Sequence, residues 1–139
     1  DNLDSFIDGL QEQIFQETRA AYGELAFERW QNMRHMGSLE NPDGYARVTG
    51  SCGDTMEIFL DFDSDIVIEA SYKSDGCAFS NLCGSLAAGL AVGKHLEDLP
   101  KISGARILGI MANFPREEEH CAFLAAATLR EAFRGYQNS

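Results

Sequence analysis

Apolar residues recur at helical spacing through Leu3, Phe6, Ile7, Leu10, Ile14 and Phe15, and again through Tyr22, Leu25, Ala26 and Trp30. This spacing predicts an amphipathic helical arm over about residues 3–36. It ends at Met36-Gly37, before the turn-forming run Asn41-Pro42-Asp43-Gly44. The period then shortens. Tyr45 to Thr49, Met56 to Phe62 and Ile66 to Tyr72 are rich in β-branched and aromatic residues, with Asp63-Ser64-Asp65 as a hairpin turn between the last two. Three antiparallel strands are expected within about residues 45–73. From Ser80 to Gly93 small residues surround Leu82, Leu86 and Leu90, which predicts a closely packing helix with Ser80 as its N-cap. Ser103 to Met111 reads as a short helix. Glu117 to Phe133 reads as the last helix, its acidic first turn matching the positive end of the helix dipole. Helices, then a meander, then helices over about residues 80–135 give an α+β fold, a small three-stranded antiparallel sheet packed with helices.

No repeat, low-complexity tract or long linker divides the 139 residues, so one domain is expected over 1–139. At 45% hydrophobic and 24% charged, the composition is that of a chain with a core. Lys and Arg total 11 against 22 Asp and Glu, a net charge of −11. That balance argues against nucleic acid, whose backbone is held by basic residues, and favours basic partners. No apolar run approaches the ~20 residues that cross a bilayer, and no basic start precedes an apolar stretch as in a signal peptide. No membrane association is expected, and the chain reads as cytoplasmic.

In a reducing compartment the four cysteines, Cys52, Cys77, Cys83 and Cys121, point to metal binding or thiol chemistry rather than disulfides. No CxxC pair is present, so any site is assembled by the fold. Cys52 lies in the turn Gly50-Ser51-Cys52-Gly53-Asp54, Cys77 between the third strand and a helix, and Cys121 in the first turns of the last helix. A helix start favours thiolate over thiol, and the neighbouring glycines let a backbone approach a ligand closely. Cys83 shares the stripe of Leu86 and Leu90 and reads as core. Asp54 and His120 each offer a harder fourth donor beside three thiolates. A thiol enzyme with Cys121 as nucleophile is weakly supported, because adjacent helix positions diverge by about 100° and carry His120 away from Cys121. The remaining histidines, His35 and His95, read as solvated or capping groups.

Gly50-Ser51-Cys52-Gly53-Asp54-Thr55-Met56, Asp75-Gly76-Cys77-Ala78 and Glu119-His120-Cys121-Ala122, in this order and at these intervals, resemble the IscU/NifU N-terminal family of iron-sulfur cluster assembly scaffolds. Trp30 to Gly37 is similar to that family's asparagine-proline-arginine-asparagine-x-glycine segment, with Met33 in place of the proline. The resemblance implies that Cys52, Cys77 and Cys121 are cluster ligands and sulfur acceptors. It further implies that Asp54 tunes cluster lability and that His120 is an auxiliary ligand. The cargo it implies is a transient [2Fe-2S] cluster, and the partners are a cysteine desulfurase and apo iron-sulfur recipient proteins. Such a protein is a carrier, not an enzyme. Where bacterial members carry a chaperone-recognised leucine-proline-proline-valine-lysine segment, this chain reads Phe114-Pro115-Arg116-Glu117-Glu118. Glu118 reverses the lysine's charge, which argues against chaperone-assisted release in that form. The long insertion of the zinc-dependent SufU branch is absent. The alternative to the scaffold is a structural or regulatory zinc domain, since three Cys with His120 or Asp54 satisfy a tetrahedral ion.

Overall fold

A computed structural model of the chain describes residues 35–111 and 114–138. The helical arm over 3–36 lies almost wholly outside them, as does Trp30 to Arg34. His35 to Gly37 lies within, and it is not helical. It runs beside the sheet: Tyr72 N donates to His35 O at 2.8 Å and Gly37 N to Tyr72 O at 2.9 Å.

The sheet is the expected meander, with strands β1 (Gly44–Thr49), β2 (Thr55–Asp63) and β3 (Ile66–Ser74) in the order β1-β2-β3, both pairs antiparallel. Asp63 pairs with Ile66 across the two residues Ser64 and Asp65, whose φ values of 53° and 64° are those of a type I′ turn. The register shifts between Asp61 and Phe62. The Phe62 N–H is held beside this irregularity by Asp43 Oδ2 at 2.9 Å.

One sheet face is apolar at period two: Met56, Ile58, Leu60 and Phe62 on β2, with Ala46, Ala70 and Tyr72 from its neighbours, are buried. Helices α1 (Ala78–Ala91) and α3 (His120–Gln137) cover it, and the shorter α2 (Gly104–Ile110) leans on α3. Small residues set these approaches. A Cβ on Gly44 would stand 2.6 Å from the Ala132 carbonyl oxygen, and one on Gly84 2.6 Å from the Tyr72 ring. Ser103 caps α2, accepting from Arg106 N at 3.1 Å.

Two helix boundaries depart from expectation, and both bear on the site. Helix α1 begins at Ala78 with Cys77 at its N-cap, so Ser80 lies inside the first turn and does not cap it. Asn81 Nδ2 reaches back to the carbonyls of Gly76 and Cys77, at 3.3 and 3.1 Å, and supports this earlier start. Arg116–Glu118 forms a separate 3-10 turn, and α3 has no acidic residue in its first turn. The acidic run therefore precedes the helix, with Glu119 at its N-cap and Glu117 and Glu118 in the turn before it.

Candidate metal centre

Three segments converge at one end of the sheet. The β1–β2 connection closes on itself, Gly50 N donating to Asp54 O at 2.8 Å and Gly53 N to Gly50 O at 3.0 Å. Gly53, at φ +94°, supplies a backbone conformation that side-chain-bearing residues rarely adopt. This loop holds Cys52 exposed and turns Asp54 inward. The second segment, after β3, presents Cys77, also exposed. The third, Arg116 to Cys121, brings Glu118, His120 and a buried Cys121.

The donor atoms fall into overlapping sets, each with all its atoms within 4.8 Å of one another: Cys52, Asp54 and His120; Asp54, Cys77 and Cys121; Glu118, His120 and Cys121. Asp54 belongs to the first two and links Cys52 to the other thiols. Its carboxylate accepts from Ser80 Oγ at 2.8 Å, and the same hydroxyl lies 3.3 Å from Cys121 Sγ. Ser80 is fully buried and orients both groups, a role the sequence pattern did not identify.

Gly76 is glycine because Asp54 passes so close. A Cβ there would lie 2.5 Å from Asp54 Oδ2 and 2.7 Å from Ser80 Oγ. Gly76→Ala is expected to displace the carboxylate and to cost ~1–3 kcal/mol of stability, read as a lower urea midpoint. An unchanged midpoint would mean the approach is looser than described.

Cys121 departs from the expectation of a ready thiolate. Its relative exposure is 0%, and burial pushes its thiol from the ordinary 9.0 up to about 12. The Ser80 hydrogen bond acts in the opposite direction, while the negative charges of Cys77 and Glu118 add to the rise. The helix start does not outweigh desolvation here. His120 also departs from expectation: although it is adjacent to Cys121 at the start of the helix, its Nε2 lies 3.6 Å from Cys121 Sγ. His35 and His95 are not brought to the site. His35 Nδ1 faces Ala70 O at 3.2 Å, and His95 Nδ1 accepts from Glu97 N at 3.2 Å as a cap. Cys83 is fully buried in the core, its thiol raised well above 9.0 first of all by desolvation.

In the sequence Glu118 reads as a reversed charge and as part of an acidic helix start. Its Oε2 lies 3.9 Å from Cys77 Sγ and 3.7 Å from Cys121 Sγ. Among the described residues no helix is long and apolar enough to cross a membrane.

The family model for the NifU-like N terminal domain matches residues 21–139. The chain is 31% identical over 116 residues to the iron-sulfur cluster assembly scaffold protein IscU 1 of Archaeoglobus fulgidus, covering 83% of this chain and 76% of that one. It is 30% identical over 122 residues to the iron-sulfur cluster assembly scaffold protein IscU of Haemophilus influenzae, covering 84% and 96%. Among solved structures, the N-terminal part of a nitrogen-fixing NifU-like protein from Brucella abortus is similar with a TM-score of 0.64 at 20% identity, over 87% of this chain and 97% of that one. At that identity the likeness speaks for the fold.

Proposed function

The chain belongs to the NifU-like N-terminal domain family, and on that premise we propose that it is a scaffold on which a transient [2Fe-2S] cluster is built and from which it is handed on. The relatives named as iron-sulfur cluster assembly scaffolds support the scaffold role. The observation that carries the finer reading is the convergence of Asp54 with Cys77 and Cys121 in one donor set and with Cys52 and His120 in another.

Each iron of a [2Fe-2S] cluster takes two protein ligands besides the bridging sulfides, and thiolates are its usual partners. Cys52, Cys77 and Cys121 supply three. The fourth position falls to Asp54, with His120 as the auxiliary donor. A carboxylate is a hard, weakly held ligand for such iron, so it makes the cluster easy to release. Lability would be a defect in an electron carrier and is useful in a delivery protein, which is why a carrier rather than an enzyme is proposed.

Sulfur arrives as the outer sulfur of a persulfide on a cysteine desulfurase. A scaffold thiolate attacks it, the desulfurase cysteine leaves as thiolate, and the persulfide now sits on the scaffold. Two electrons from a separate reductant convert each such sulfur to sulfide. Cys52 and Cys77 are exposed to this attack, whereas Cys121 is buried and less readily reached. Apo iron-sulfur proteins are the recipients. Chaperone-assisted release through the segment ending in Glu118 is not part of the proposal.

The test is anaerobic reconstitution with iron, cysteine and a desulfurase, followed by visible absorbance and iron and sulfide counts. Sulfide-to-iron charge-transfer bands with matched iron and sulfide are expected. A colourless protein that retains zinc would instead identify the zinc domain.

A further inference from the structure

Among the described residues Glu118 is a carboxylate beside the thiols that the scaffold chemistry above leaves without a role. Its distances carry information. Two donors on one tetrahedral ion, sulfur at about 2.3 Å and oxygen or nitrogen at about 2.0 Å, stand about 3.5 Å apart. Glu118 Oε2 lies 3.7 Å and His120 Nε2 3.6 Å from Cys121 Sγ. The three donor atoms lie within 4.8 Å of one another, and Cys77 Sγ is 3.9 Å from the same carboxylate oxygen. Among the described residues no Lys or Arg pairs with Glu118, whose carboxylate instead accepts from two thiols.

We infer that Glu118 is an added metal ligand: with His120 and Cys121, each of which also belongs to a donor set containing Asp54, it forms an entry site for a single divalent first-row cation. It rests on the scaffold reading only in naming that cation as ferrous iron, held before sulfur arrives. A carboxylate, an imidazole and one thiolate make a mixed hard and borderline donor set, which accepts Fe²⁺, Co²⁺ or Zn²⁺ without sulfide. On binding, the Cys121 S–H bond is replaced by a metal–sulfur bond and the proton leaves to solvent; no electron moves. Cys77, next to the same carboxylate, is placed to take the ion over as the cluster forms.

The test is an anaerobic titration of the metal-free chain with Co²⁺, read by its thiolate charge-transfer and d–d absorbance. Glu118→Gln is expected to weaken Co²⁺ binding by about 10–100-fold and to shift the d–d bands, whereas Glu117→Gln, an equal charge change on an exposed neighbour, stays within about threefold of wild type. Glu118→Asp, which retracts the carboxylate by one methylene, is expected to weaken binding in the same direction and serves if the Gln variant folds poorly. Glu118→Gln binding Co²⁺ within about threefold of wild type, with unchanged bands, overturns the site. So does a wild type that binds no Co²⁺. Reconstitution of the same samples separates the two readings. A wild type that forms a cluster while Glu118 proves irrelevant to Co²⁺ overturns the entry site alone. Glu118-dependent Co²⁺ binding in a chain that forms no cluster overturns the scaffold reading and leaves the site standing.

Discussion

Asp54→Ala is expected to lengthen the lifetime of the assembled cluster against a chelator by about tenfold, equivalent to about 1.4 kcal/mol of barrier. The carboxylate is half-buried, oriented by Ser80 Oγ at 2.8 Å, and shared between the two donor sets that together contain the three cysteines proposed as ligands. As a carboxylate it is a harder donor than the three thiolates and therefore exchanges more readily than they do with water or an incoming ligand. Without it, the fourth position passes to His120, which lies in the same donor set as Cys52 and Asp54. Absorbance decay after addition of chelator to wild type and variant measures the effect. An unchanged or shorter lifetime would remove the labilising role from Asp54.

The metal-free protein is expected to lose several kcal/mol of stability between about pH 9 and 12. Tyr72 is fully buried on β3, and desolvation pushes its phenol from 10.0 up to about 12. Burial acts in the same direction on the Cys83 thiol and on Cys121, whose ordinary value is 9.0. In this window the folded chain keeps protons that the unfolded chain has released. Folding is therefore linked to proton retention, and stability falls as pH rises. Below about pH 9 both states are protonated at these groups and the contribution is fully present. Urea midpoints measured from pH 8 upward test this, with Tyr72→Phe and Cys83→Ala each flattening the slope. A flat profile in wild type would mean that these groups ionise without penalty, against their burial.

Much of the fold was legible because its signals are local. Alternation along Met56 to Phe62, the turn at Ser64-Asp65 and the cap at Ser103 each depend on a few neighbouring residues. Cys83 on the stripe of Leu86 and Leu90 was legible as core for the same reason. The interior of the site was not. Ser80 reads as a cap because caps are common before a helix, yet its partners Asp54 and Cys121 lie 26 and 41 positions away. Glu118 reads as one of three acids suited to a helix start, and only the 3-10 turn at Arg116–Glu118 aims it at Cys77 and Cys121. The state of the Cys121 thiol is not legible either, because a helix start is visible in sequence, whereas the burial that overrides it comes from packing between distant segments.

Cys52, Cys77 and Cys121 are proposed to hold a cluster, whereas Cys83 belongs to the core. Anaerobic reconstitution of the wild type and of the four single Cys→Ala variants tests it most directly. Charge-transfer absorbance with bound iron and sulfide is expected in wild type and Cys83→Ala, and is expected to be lost in Cys52→Ala, Cys77→Ala and Cys121→Ala. Loss of loading in Cys83→Ala with retention in any of the other three would contradict the assignment, and a colourless wild type holding zinc through the same three cysteines would contradict the scaffold itself.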